Sequence, residues 1–218
     1  MDTVTAPARQ GVTAGILEWA EARRAFPGER NSGDAVIVVK RADGCLIAAV
    51  DALGHGPEAA EVAEQTVAAL QRHAEEAVIP LVRAVHEALR GTRGAVLSLG
   101  IIRSLDDTLT WVGVGNVQAR LIRAVERGPE LPASEALLLR GGILGTQLPP
   151  LYAAIMPIAA GDRLIFASDG LAPAWTNAPP PPLSPAETAA HLMQQFALPH
   201  DDAVVAVARY LGHARATG

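Results

Sequence analysis

Hydrophobic and polar positions along the chain follow two different periods. "DAVIVVKRADGCLIAAVD" holds two aliphatic runs on either side of Arg41-Ala42-Asp43-Gly44, and an Asp-Gly pair between such runs predicts a β-hairpin. "GILEWAEARR" predicts a strand before it. After the hairpin the period changes: Ala59, Val62, Ala63, Thr66, Val67 and Leu70 recur in alternating steps of three and one, the stripe of an amphipathic helix. Pro57 suits its first position and Glu58 the positive end of its dipole. A second helix is predicted over about residues 79–90, with Val82, Val85 and Leu89 on one face.

Strand-like patterning then dominates. "AVLSLGIIRS", "TLTWVGVGN" and "VQARLIRAV" read as three consecutive strands joined at Asp106-Asp107 and Gly115-Asn116, too closely spaced for a parallel crossover. An antiparallel meander is the expectation, with Gly113 and Gly115 allowing a bend and a tight turn. "EALLL", "YAAIMPI" and "DRLIFASD" add three candidate strands, "PAETAAHLMQQFA" a helix and "AVVAVARYL" a closing strand. The proline run of "LAPAWTNAPPPPLSP" reads as a stiff connection. Helices and strands are segregated in blocks, an α+β order and not a βαβ alternation.

Composition narrows the class. The 218 residues suit one medium-sized domain with an aliphatic core, since half are apolar and only 4% aromatic. A net charge of −5 without a basic block argues against a nucleic-acid partner. The single cysteine, Cys45, excludes a disulfide framework or a multi-cysteine zinc site within one chain, and its apolar setting predicts a buried, inert thiol. The first residues carry no signal-peptide pattern, and no apolar run is long enough to cross a membrane. A cytoplasmic protein with no membrane partner is expected.

The candidate chemistry lies where the apolar runs end. Asp34 and Asp201 precede their runs, whereas Asp51 and Asp169 follow theirs; Asp202 adjoins Asp201. Antiparallel neighbours bring the starts of some strands to the finishes of others, so all four can meet at one sheet edge. Taken singly, each acid also fits a turn or a helix cap. Taken together, two carboxylates about 4 Å apart repel by roughly 4 kcal/mol at an effective dielectric near 20. Three or four in one place call for divalent cations, and all-oxygen ligation is what Mg²⁺ and Mn²⁺ prefer. Such ions activate water for attack on phosphorus.

"SGDAVIVV", "VDALGHGPEAA", "WVGVGNVQARL", "RGGILG", "FASDGL" and "DDAVVAVAR", in this order over about residues 15–210, resemble the metal-dependent PPM (type-2C) serine/threonine phosphatases, in the bacterial SpoIIE/RsbU/RsbX branch. The resemblance implies an α-β-β-α sandwich: two antiparallel sheets packed together, helices outside, and two Mn²⁺ or Mg²⁺ ions at one edge. It implies that Asp51 bridges both ions, that the Ala52 carbonyl binds one of them, and that Asp169 and Asp201 complete the second site. Asp34 would bind a metal directly or through its waters. His55 has two readings: a proton donor to the leaving oxygen, or a turn histidine that hydrogen-bonds locally. A free-standing core of this kind implies phosphorylated STAS-domain proteins of the RsbR/RsbS type as substrates, the step that resets a stressosome. An anti-anti-sigma factor is the other substrate, and a phosphoprotein-binding pseudophosphatase the reading without hydrolysis. Two positions depart from the family pattern: Ala52 stands where glycine is usual, and Val204 where a Ser or Thr hydroxyl is usual.

Overall fold

Alternation within the aliphatic runs decides which way each strand faces. The computed structural model describes residues 5–6, 9–124, 132–178 and 183–212. Its elements run β1 (Thr5–Ala6), β2 (Gln10–Thr13), β3 (Leu17–Arg24), β4 (Asp34–Arg41), β5 (Gly44–Ala52), α1 (Gly56–Arg72), α2 (Val78–Ala88), β6 (Ala95–Arg103) and β7 (Thr108–Val114). They continue with β8 (Gln118–Ile122), β9 (Ser134–Ala136), β10 (Leu139–Arg140), β11 (Ala154–Pro157), β12 (Arg163–Ala167), α3 (Pro185–Phe196) and β13 (Ala203–Tyr210). On β5, Leu46, Ala48, Val50 and Ala52 pack toward α1 and α2, while Cys45, Ile47 and Ala49 pack toward the other sheet. Burial pushes the Cys45 thiol up to about 12, which keeps it protonated and inert.

One sheet has seven strands in the order β1-β3-β13-β12-β8-β9, with β2 also on β3; the other has six, β10-β7-β6-β5-β4, with β11 also on β7. Their facing sides form a shared core that includes Trp111, Phe166, Val204 and Tyr210. The outer face of the six-stranded sheet is covered by α1 and α2, and that of the seven-stranded sheet by α3. This is the α-β-β-α sandwich. All named pairings are antiparallel except β10 with β7. The α1 stripe buries Ala59, Val62, Ala63, Thr66 and Leu70 as expected, and α3 begins with a Ser184–Glu187 capping box.

The meander is a correction. β6 and β7 do pair, but β8 lies in the opposite sheet, between β12 and β9. Residues 115–117 therefore step from one layer to the other. The edge of β7 that a third meander strand would occupy is taken by β10 and β11. "EALLL" likewise divides into pieces of β9 and β10 in different sheets. Alternating hydrophobicity specifies a strand's faces but not its edge partner, so both layers satisfy the same pattern. β1 and β2 add edge pairing on β3 before the expected opening strand. Residues 179–182 of the proline run lie outside the described residues.

Among the described residues, no helix is long and apolar enough to cross a membrane.

Candidate functional site

Register places the first two acids together. Asp34, at the start of β4, is the cross-strand partner of Asp51, near the end of β5. Asp51 continues the series Cys45, Ile47, Ala49 and Asp34 shares the parity of Val36, so both belong to the face that meets the second sheet. At the edge where those sheets meet, β12 ends and β13 begins as an antiparallel pair, Ala167 opposite Val205. This brings Asp169 and Asp201 beside the first pair. Gly170 permits the approach: a Cβ there would lie 1.8 Å from the Asp202 carbonyl oxygen.

Asp51, Asp169 and Asp201 all line one cleft of about 550 Å³, together with His55, Asn116 and the Gly141-Gly142 pair. The glycine pair is held there by the Ala95–Leu144 bridge and by the Gly145 amide donating to His86 Nδ1 at 3.0 Å. Asn116 Nδ2 donates to Asp169 Oδ2 at 2.6 Å. Asp34 stands behind this group, 2% exposed, and accepts a 2.6 Å hydrogen bond from Ser168 Oγ. The Ser168 oxygen in turn accepts from the Val204 amide at 3.0 Å. A hydroxyl thus joins the two sheets at this edge although Val204 brings none.

The tandem acids divide their work. Asp201 faces the cleft. Asp202 is buried, and its carboxylate accepts from the amides of Phe26 at 2.7 Å and Gly33 at 3.0 Å, clipping down the loop before β4. Asp202→Asn keeps the shape but turns one acceptor into a donor. A loss of about 1–3 kcal/mol in urea unfolding is expected, with all cleft carboxylates still in place.

Electrostatics mark the cleft acids as a coupled set. Burial raises the Asp51 pKa to about 8, reinforced by Asp169 as a like charge and as a hydrogen-bond partner, and by Asp201 and Asp202. Burial also pushes Asp34 well above the usual carboxylate range; Asp51 adds to this and the Ser168 hydroxyl opposes it. Asp201 is raised too, by burial and then by Asp169, with His55 acting in the opposite direction. Among the described residues lining the cleft, none is Lys or Arg. Acids raised by burial and mutual repulsion, without a balancing cation of the chain, are what a divalent ion would neutralise.

The donor set fits such an ion. Asp51, Asp169 and Asp201 offer carboxylate oxygens alone, the hard ligands that Mg²⁺ and Mn²⁺ take. Among the described residues, no three Asp, Glu, His or Cys side chains are closed into a ready coordination shell. Ala52 does not line the cleft: it is fully buried, and its carbonyl oxygen lies near Gly33. Its φ is not positive, so alanine carries no backbone strain there.

His55 sits on the cleft rim, between Gly54 and Gly56, both at positive φ. It occupies the N-cap position of α1, yet its side chain makes no capping hydrogen bond. Sequence reasoning did not assign Ser168 or Asn116 to the site. Ser168 adjoins Asp169 in "FASDGL", which signals proximity but not the bond to Asp34. Asn116 belongs to "WVGVGN", which reads either as a bend and tight turn or as a stretch approaching the site; the bond of its amide to Asp169 favours the second.

The comparisons with known proteins agree with this geometry. The family description that matches the chain is Stage II sporulation protein E (SpoIIE), over residues 41–211. A protein solved in work on the bacterial stressosome, a modular system adapted to control secondary messenger signalling, is 29% identical, with 88% of this chain and 99% of that one covered and a TM-score of 0.78. RsbX in complex with magnesium is 18% identical, covering 94% of this chain and 100% of its own, at a TM-score of 0.79. The PP2C phosphatase domain of the cell fate determinant SpoIIE from Bacillus subtilis, with a fragment of its regulatory domain, is 21% identical, covering 88% of this chain and 63% of its own, at 0.72. No curated protein matches the chain significantly.

Proposed function

The chain belongs to the SpoIIE family of PP2C-type protein phosphatases, and from that premise we propose that it removes phosphate from phosphoserine or phosphothreonine of phosphorylated STAS-domain proteins of the RsbR/RsbS type. The observation that carries the hydrolase reading is the gathering of Asp51, Asp169 and Asp201 around one cleft from the ends of strands in both sheets. The likeness to a stressosome-derived structure and to RsbX supports the choice of substrate.

Asp51, Asp169 and Asp201 would hold two Mn²⁺ or Mg²⁺ ions, with Asp34 behind them. Bound there, the ions supply Lewis acidity toward phosphoryl oxygens and lower the pKa of a coordinated water. The chain's own residues do the rest. Ser168 fixes Asp34 against the opposite sheet, and Asn116 fixes one oxygen of Asp169, so the ligand set is oriented before an ion arrives. His55, on the rim, holds a proton for the departing seryl or threonyl oxygen.

The test is direct. Purified protein with excess Mn²⁺ is offered phosphorylated RsbR/RsbS-type STAS proteins and a phosphorylated anti-anti-sigma factor, with EDTA controls, and phosphate release is followed. Rapid release from the first substrate, abolished by EDTA, is the expected result. Equal or preferential release from the anti-anti-sigma factor would move the substrate assignment. No metal-dependent release from any phosphoprotein would sink the hydrolase itself.

A further inference from the structure

We propose that Phe26 and Glu29 are positioning residues for His55, and that Asp202 sets them in place from beneath. The proposal rests on the phosphatase reading for its chemistry, but its geometry stands apart from any metal.

The sequence "FPGE" builds the device. Glu29 N donates to Phe26 O at 2.9 Å, closing a four-residue turn with Pro27 second and Gly28 third at a φ of +90°. Those residues in those places are what a type II turn requires. The turn brings its first and fourth side chains to the same imidazole. The Phe26 and His55 rings stack with centroids 4.1 Å apart and planes 10° from parallel. Glu29 Oε1 lies 3.7 Å from His55 Nδ1, and it also stands over Gly56, where a Cβ would meet it at 3.1 Å.

Without these contacts the ring would be loosely held, for its side chain is 52% exposed and takes no part in capping α1. Stacking fixes the plane of the imidazole, and the carboxylate, 3.7 Å from Nδ1, is an electrostatic partner for a proton on that nitrogen. With Nδ1 turned to Glu29, Nε2 is the nitrogen left for a substrate. The loop that carries both partners is anchored by Asp202, which binds the amide of Phe26 and that of Gly33. From the other side, Arg93 donates to the Leu53 carbonyl at 3.1 Å and pairs with Glu58, steadying the turn that carries His55. The two neighbouring aspartates therefore serve one reaction from two sides: Asp201 faces the cleft, and Asp202 holds the acid's support.

In the reaction, the oxygen of water bonds to phosphorus and its proton is released to solvent. The bond from phosphorus to the seryl oxygen breaks with its electron pair on that oxygen. The Nε2 proton passes to the same oxygen, and the neutral imidazole regains a proton from solvent.

A good leaving group needs that proton least, which separates positioning from general damage. Glu29→Gln and Phe26→Leu are assayed with excess Mn²⁺ on phenyl phosphate and p-nitrophenyl phosphate. The fall in kcat for phenyl phosphate, about tenfold, is expected to exceed that for p-nitrophenyl phosphate by about fivefold or more, with KM little changed and with Glu29→Asp recovering most of the loss. Equal penalties on the two esters, or none, would overturn the proposal. A second readout does not depend on turnover: nitrogen-detected NMR of the His55 ring. Glu29→Gln is expected to redistribute the proton between Nδ1 and Nε2, and Phe26→Leu to remove the ring-current shift on the imidazole protons. Unmoved His55 signals in both variants would overturn the positioning even if rates fell. Should the wild type hydrolyse nothing while the ring signals respond, the positioning is upheld and the hydrolase reading falls.

Discussion

Asp51→Ala is expected to lower metal-dependent phosphate release by at least about a thousandfold while leaving the fold intact. Asp51 is the acid with neighbours on every side: Asp34 across the strand pair, and Asp169 and Asp201 around the cleft. In the proposed mechanism Asp51 is the carboxylate that would hold two ions in common. Losing such a proposed shared ligand would remove several kcal/mol of transition-state stabilisation, and about 1.4 kcal/mol is a factor of ten in rate. Stability should move the other way. The Asp51 carboxyl is pushed up to about 8 by burial and by its neighbours' charge, so its ionised form is a strain on the metal-free protein near neutral pH. In EDTA at pH 8, Asp51→Asn, which keeps the shape, should melt higher than the wild type while remaining inactive with Mn²⁺. A variant that lost activity by unfolding would melt lower, and one that kept a tenth or more of the wild-type rate would remove Asp51 from the mechanism.

The same residue shows how far a sequence can be read. The run "LIAAV" is apolar at every position, because β5 is buried on both faces between the second sheet and the helices. An acid at its end is therefore conspicuous, and the hairpin register of the structure sets Asp34 opposite it. The α1 stripe is equally plain, since its period separates a buried face from a wet one. Other features leave a weaker mark. β7 and β8 carry the alternation of a continuous meander, yet the short Gly115-Asn116 step changes layers, and nothing in period-two patterning says which sheet a strand joins. The pair Asp201-Asp202 looks like two equivalent ligands in one dimension. In the structure the first faces the cleft and the second, just ahead of β13, accepts from the Phe26 and Gly33 amides. "FPGE" is a turn by its residue types, but only the packed structure shows that the turn closes over His55.

A coupled acid cluster also has a consequence for the whole molecule. Metal-free protein is expected to lose stability as pH rises from about 4 to about 8, whereas many proteins are near their most stable in the upper half of that range. Asp51 has a folded-state pKa of about 8 against an ordinary value of 3.8. Between those values the native state holds a proton that the unfolded chain has released, so each step up in pH favours unfolding. The stabilising effect of that proton is fully present below 3.8 and is gone once pH has passed about 8. At about 1.4 kcal/mol for each tenfold change in proton concentration, the whole span is on the order of 5 kcal/mol. Asp34 and Asp201 are raised as well and act in the same direction, so the transition belongs to the group and is broad. In the proposed site divalent ions would compete with those protons for the same oxygens, and an ion at about a hundred times its Kd would restore about 2.7 kcal/mol. Melting curves taken from pH 5 to 9, in EDTA and in excess Mn²⁺, should therefore diverge: the metal-free curve falls, the loaded one stays level, and the gap widens with pH. Asp51→Asn should flatten the metal-free curve. A metal-free melting temperature that rises between pH 5 and 8, or a Mn²⁺ increment as large at pH 5 as at pH 8, would mean that these carboxylates do not share one buried, cation-seeking cleft.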